Sequence, residues 1–137
     1  FTVCNDVSVR DWQMRAQTFT LGKSFDTHAP FGPYIVTSDE VGDPHDLDLK
    51  TWVNGELRQN SNTRHLVFDC YEQIETLTAA FTLEPGDLVL TGTPSGVGIG
   101  FDPKRFLKAG DVVRIEIAKL GHIENAVVAE PADTDRI

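Results

Sequence analysis

A chain of 137 residues with 40% hydrophobic and 24% charged residues can bury a core of its own and is too apolar to be wholly disordered. Its 12 Lys and Arg against 21 Asp and Glu give a net charge of -9, which argues against nucleic acid or an anionic membrane surface as partner, because phosphate binding wants clustered positive charge. A small anionic substrate is not excluded, since a metal ion and a few local cations override global charge.

In chain order, residues 1–4 read as the end of a strand. The first residue is Phe1 and the single methionine, Met14, lies in a helical pattern, so the expectation is a chain trimmed from a longer one. Ser8-x-x-Asp11 has the form of a capping box with Asp for Glu, which predicts a short helix over 12–17. Residues 22–33 are punctuated by Gly and Pro and read as a loop carrying Lys23, and 34–37 read as a strand. Residues 38–46 form an acidic surface loop. Alternation from Leu47 onward and the Asn54-Gly55 pair predict a hairpin with a type I′ turn, returning over 56–59. Asp69 can cap a helix over 70–81, with Ile74, Leu77, Thr78 and Phe81 on one stripe.

An internal echo follows. Leu83-Glu84-Pro85-Gly86-Asp87-Leu88-Val89 returns as Leu107-Lys108-Ala109-Gly110-Asp111-Val112-Val113, and each copy reads as a turn feeding a strand. A second hairpin is predicted from 112–118 and 122–129 around Gly121, and 131–137 reads as a loose tail. There is no alternating βαβ rhythm. The chain is therefore expected to be a single α+β domain, β-rich, with a mixed, mostly antiparallel sheet and two short helices.

Cys4 and Cys70 are too few for a disulfide framework and lack zinc spacing, which favours a reducing, cytoplasmic compartment. No apolar run approaches the ~18 residues of a membrane helix. His28, His45, His65 and His122 share no metal spacing and read as surface residues. The glycine-rich run 91–100 lacks the Lys and the following helix that a phosphate loop needs. It permits close backbone approach to a ligand, with the Thr93 hydroxyl beside it, or it is simply a tight turn. Asp6 and Asp11 sit where carboxylates commonly cap a helix. Arg10 and Gln13, three apart, share a helical face and offer an alternative, a site for an anion held with a metal. Lys23 is either a point charge toward substrate or an ordinary solvated lysine.

At Asn5-Asp6-Val7-Ser8-Val9-Arg10-Asp11-Trp12-Gln13 the chain resembles the fumarylacetoacetate hydrolase family. The resemblance continues in order through Leu21-Gly22-Lys23-Ser24-Phe25-Asp26-Thr27, Phe31-Gly32-Pro33, Val53-Asn54-Gly55-Glu56, Leu83-Glu84-Pro85-Gly86-Asp87 and 90–98. It implies the β-rich roll of that family, a homodimer, and one divalent cation, Mg2+ first, with Mn2+ or Ca2+ as alternatives. It further implies Asp6 as metal ligand, Thr27 near the metal, Lys23 and Gln13 as catalytic and substrate-contacting residues, and Arg10 and Thr93 as substrate-binding. Val9 and His28 depart from the family's usual Ala and aromatic residue, and His28 stands where it can alter substrate choice.

A Glu-x-Glu metal pair and a His-Glu dyad, which the resemblance also implies, are not found, so the chain reads as the C-terminal part of a larger catalytic domain. The implied reaction is metal-dependent hydrolytic C–C cleavage of an acylpyruvate or β-diketo acid. Alternatives are oxaloacetate decarboxylation or tautomerisation, hydroxy-dienedioate isomerisation, or a non-catalytic binding module. The implied partner is a small anionic oxo acid, and the compartment is cytoplasmic, or mitochondrial in a eukaryote.

Overall fold

The computed structural model describes residues 1–132. Most of the tail expected at 131–137 lies outside the described residues. All strand pairings among the described residues are antiparallel: a two-stranded ladder of β1 (Val3–Cys4) with β2 (Phe31–Gly32), and a four-stranded sheet in the order β4-β3-β5-β6. These four strands are β3 (Asp48–Val53), β4 (Glu56–Asn62), β5 (Val112–Ile117) and β6 (Gly121–Ala126). The architecture is the expected β-rich α+β class.

Both hairpins form where turn chemistry predicts them. Asn54 and Gly55 adopt φ of 52° and 78°, the left-handed pair that a type I′ turn requires. The Asn54 side chain then staples this turn to the neighbouring strand: its Oδ1 accepts from Val112 N at 2.8 Å and its Nδ2 donates to Asp111 Oδ1 at 2.9 Å. Opposite that turn the ladder slips. Trp52 pairs with Leu57 but Thr51 pairs with Gln59, so Arg58 is the extra residue of a β-bulge. A bulge reverses which face the following side chains occupy. This is why Gln59, and not Leu57, is buried beside Thr51.

The core gathers Val3, Val36, Val41, Leu47, Val113, Ile115 and Leu120, with Val53, Ile117, Ile123 and Val127 packed against it. Each such side chain contributes roughly 1.5–3 kcal/mol by leaving water. In β5 the period-2 rule holds: Val113 and Ile115 face in, while Val112, Arg114 and Glu116 face out.

Among the described residues four α-helices occur rather than two: α1 (Arg10–Gln13), α2 (Thr20–Lys23), α3 (Ser38–Val41) and α4 (Cys70–Thr78). Three are single turns, too short for periodicity to reveal. The residues expected to form a strand at 34–37 instead cross to Phe1, whose backbone exchanges two hydrogen bonds with Val36 at 2.6 and 2.8 Å. Val36 reaches the core this way without a ladder. The acidic loop hides α3, which delivers Val41 to the core, and Lys119 Nζ caps the carbonyl of Val41 at 2.7 Å.

The α4 helix begins in a full capping box between Asp69 and Glu72. No residue of its apolar stripe is fully buried.

The echo proves to be a repeated turn. The Asp87 carboxylate accepts from Glu84 N at 2.8 Å and that of Asp111 from Lys108 N at 3.0 Å. Among the described residues only the second turn feeds a strand, and 87–90 join no ladder. Strand formation needs a partner, and only Asp111 is followed by residues that meet β3.

Candidate functional site

Asp6 lies between β1 and α1, as the sequence implied. Residues 5–9 run alongside 22–30: Asn5 N donates to Pro30 O at 2.9 Å, Val7 N to His28 O at 3.0 Å, and Val9 N to Gly22 O at 2.9 Å. This pairing sets Asp6 beside Lys23, whose Nζ donates to Asp6 Oδ2 at 2.5 Å. Lys23 is thus not in a loop but at the end of α2, and it is not an isolated solvated cation. Oδ1 of Asp6 accepts no hydrogen bond among the described residues.

The capping-box reading of Ser8 and Asp11 is overturned. The N-cap of α1 is Val9 and no side chain caps it. The helix starts two residues earlier than 12–17 and ends at Gln13, and Asp11 falls inside its first turn, where its carboxylate meets Arg15 at 3.5 Å. The shared face of Arg10 and Gln13 does form: Arg10 Nη1 donates to Gln13 Oε1 at 2.8 Å. Gln13 is buried, and with Oε1 accepting from Arg10 its amide NH2 is left as a donor that makes no hydrogen bond among the described residues. The two short helices are fixed together by Gly22, since a Cβ there would stand 2.6 Å from the Gln13 backbone. Cβ atoms do not approach that closely, so only glycine fits.

Around this group, Trp12 meets Phe25 edge-on at 5.4 Å, and Phe25 meets the His28 ring at 5.5 Å. His28 Nδ1 lies 2.8 Å from the Asp26 carbonyl, an acceptor, so Nδ1 carries the proton there. Thr27, between them, is exposed with φ of 64°. Burial, and secondarily the charge of Asp6, push the Cys4 thiol up from its ordinary range, which keeps it protonated and unreactive at neutral pH.

Thr93 is brought to a different partner. Gln59 Nε2 donates to Thr93 Oγ1 and to Pro94 O, both at 2.9 Å. No hydrogen bond or ion pair among the described residues joins this pair to the Asp6–Lys23 or Arg10–Gln13 groups. Sequence reasoning missed Gln59. A polar residue in mid-strand after the hairpin is the only signal, and the bulge that turns it inward cannot be read from composition. The glycine-rich run does approach backbone closely, but protein backbone: at Gly96, with φ of 104°, a Cβ would collide with the carbonyl oxygen of Arg58.

His45 also departs from a surface reading. Its Nε2 accepts from Cys70 N at 3.1 Å, closing the first turn of α4, and its ring meets Tyr71 at 5.2 Å.

As a metal site, the described residues offer little. No group of three or more His, Cys, Asp or Glu among them could hold an ion. Asp6, with one oxygen held by Lys23 and one open, can supply a single ligand. No helix among the described residues is long and apolar enough to cross a membrane.

Comparison with known proteins bears out the family resemblance. The family model described as Fumarylacetoacetate (FAA) hydrolase C-terminal matches residues 1–128. The Xenopus laevis protein named Oxaloacetate tautomerase fahd2, mitochondrial, is 53% identical over 130 residues, covering 93% of this chain and 41% of that protein. The solved fumarylacetoacetate hydrolase of Exiguobacterium antarcticum superimposes with a TM-score of 0.90 at 43% identity, over 94% of this chain and 46% of that one. The 2-hydroxyhepta-2,4-diene-1,7-dioate isomerase of Mycobacterium marinum gives 0.83 at 43%, over 93% and 46%. The chain thus spans about two fifths of the length of the curated relative it matches. With a matching family model over nearly its whole length and the same fold in solved relatives, the chain belongs to the fumarylacetoacetate hydrolase family.

Proposed function

We propose that the polypeptide carrying this chain interconverts tautomers or double-bond isomers of a small anionic 2-oxo acid through an enolate, with oxaloacetate the first candidate. The observation that carries this reading is the Lys23 ammonium held on Asp6 at 2.5 Å. It lies in a stretch 53% identical to a protein named an oxaloacetate tautomerase. This replaces C–C hydrolysis as the leading reading. Hydrolysis remains the second, favoured by the TM-score of 0.90 to a protein named fumarylacetoacetate hydrolase.

The enolate's charge grows on oxygen, and preorganised donors stabilise such charge. Lys23 supplies a fixed cation whose remaining N–H bonds are available. Gln13 supplies an amide NH2 whose orientation Arg10 sets. Thr93 supplies a hydroxyl for the substrate's carboxylate. Asp6 holds Lys23 in place by accepting its hydrogen bond at 2.5 Å. A divalent cation, Mg2+ first, would take one Asp6 oxygen with further ligands that residues 1–132 do not supply, and when bound would add Lewis-acid polarisation. In this reading the chain is part of a larger catalytic domain, works as a homodimer, and in a eukaryote resides in mitochondria, as the Xenopus relative's name has it.

The test is a substrate panel on the longest polypeptide that carries this sequence: oxaloacetate enol–keto conversion, hydroxy-dienedioate isomerisation and acylpyruvate cleavage, with and without Mg2+. Tautomerisation or isomerisation is expected to exceed cleavage by tenfold or more in kcat/KM. Cleavage as the dominant reaction would hand the site to the second reading.

A further inference from the structure

Gln59 is buried, 9% exposed, and directly across the ladder from it Thr51 carries a buried hydroxyl without a hydrogen-bond partner among the described residues. A buried amide must satisfy its donors, and Gln59 does so on the loop that holds Thr93. The Pro94 carbonyl only accepts, so the group 2.9 Å from it is the NH2 and not the amide oxygen. The second N–H of the same nitrogen points at Thr93 Oγ1, also at 2.9 Å. Thr93 therefore accepts from Gln59. Its own single O–H proton is left to point elsewhere. Thr93 is exposed and makes no other hydrogen bond among the described residues.

We propose that Gln59 is a positioning residue that fixes the polarity of Thr93, making its hydroxyl an obligatory donor toward the substrate's carboxylate. The inference rests on the reading of Thr93 as a carboxylate contact. Three features enforce it. The bulge at Arg58 turns Gln59 inward. Gly96 lets the 91–96 backbone lie on the Arg58 carbonyl. Arg58 itself is held over the Phe101 ring at 5.2 Å, with Arg105 over the same ring at 5.3 Å and paired to Glu56 at 2.6 Å.

The test compares KM and kcat for oxaloacetate from pH 5 to 8 in the longest polypeptide carrying this chain. Gln59→Glu replaces a donor by an acceptor. It should draw the Thr93 proton inward, raising KM about tenfold at pH 8, the scale of one hydrogen bond, with kcat within about threefold. Burial and the facing Pro94 carbonyl oxygen both favour the protonated form of the new carboxyl, so toward the acid end it regains a donor and KM should fall back toward wild type. The charged side chains that the structure groups at this bulge are Arg58, Glu56 and Arg105. Loss of packing alone produces no such return.

Gln59→Met and Thr93→Val complete a double-mutant cycle. Thr93→Val should raise KM about tenfold, and adding Gln59→Met should cost less than about twofold more. If Gln59→Glu does not fold, the cycle decides. A raised KM in Thr93→Val with wild-type behaviour of Gln59→Glu, or with full additivity in the double variant, overturns the role of Gln59 alone. A wild-type KM in Thr93→Val overturns the carboxylate contact and the inference with it.

Discussion

The proposed site draws on two segments that hold their polar groups in opposite ways. In residues 5–28 the polar groups lie on two single-turn helices and the segment before them, with Gln13 buried and Asp6 and Lys23 partly exposed, and what brings them together is backbone: three main-chain hydrogen bonds and a glycine against the Gln13 backbone. In residues 58–98 the functional hydroxyl sits on a loop, and what fixes it is a buried side-chain amide reaching out of a sheet. The first arrangement leaves Lys23 and Gln13 with spare donors and room for the Asp6 carboxylate to take a second partner. The second leaves Thr93 one allowed direction. A site that must stabilise developing charge and also orient a permanent carboxylate can use both.

The largest expected effect breaks the contrast at its two glycines. Gly96→Ala meets both a backbone collision and a positive φ of 104°. It should destabilise by about 3 kcal/mol, the upper range for overpacking, and abolish activity. Gly22→Ala meets the collision alone and should cost less, about 1–2 kcal/mol. Urea denaturation of the two variants ranks them. Equal costs would mean that the positive φ adds nothing.

Next in size is charge. Lys23→Met keeps the length of the stem and removes the ammonium. kcat for oxaloacetate should fall about 100-fold, the scale for losing one preorganised donor, with Tm nearly unchanged and Lys108→Met as the surface control. A raised KM with wild-type kcat would show a lysine that only recruits an anion. In the same assay Asp6→Asn should weaken Mg2+ activation. A metal dependence that does not change would make Asp6 purely a partner for Lys23.

A third prediction concerns acid. The depressed carboxylates sit mostly in and around the four-stranded sheet. The Asn54 amide holds Asp111 below its ordinary 3.8, the Arg64 guanidinium does so for Asp46, and Arg105 holds Glu56 below its ordinary 4.5. A carboxylate whose folded-state value is lowered stabilises the fold above its unfolded value, and that stability disappears as the pH falls through the folded one. Stability should therefore be level above about pH 5 and drop below about pH 4. Denaturation of Asp111→Asn from pH 3 to 7 should show a lower plateau and a flatter acid limb. An acid limb as steep as wild type would mean that the staple between Asn54 and Asp111 is not what acid releases.

The smallest effect is expected at Arg15, which stacks over Trp12 at 4.1 Å and pairs with Asp11 at 3.5 Å, both on the surface. Arg15→Ala should cost about 0.5 kcal/mol or less and leave kcat alone. A larger loss would mean that the surface of the first segment, and not only its backbone, holds α1 in place.

Local chemistry by itself determined the hairpins, the capped α4 and the family. Asn54-Gly55 can hardly be anything but a tight turn, Asp69 and Glu72 satisfy a helix start from within four residues, and the motif order from Asn5 to Gly98 needs no fold to be read. The pairing of Arg10 with Gln13 was legible for the same reason: it is set by one turn of helix. What the sequence left open depends on contacts between distant residues. Whether the first copy of the Gly-Asp turn feeds a ladder is decided by which strand lies beside it. Whether Lys23 is solvated or paired is decided by residues 5–9 lying against 22–30. Gln59 reaches Thr93 across 34 residues because one extra residue in β4 reverses the faces beyond it. A bulge is a property of two strands in register, so no reading of one strand alone contains it.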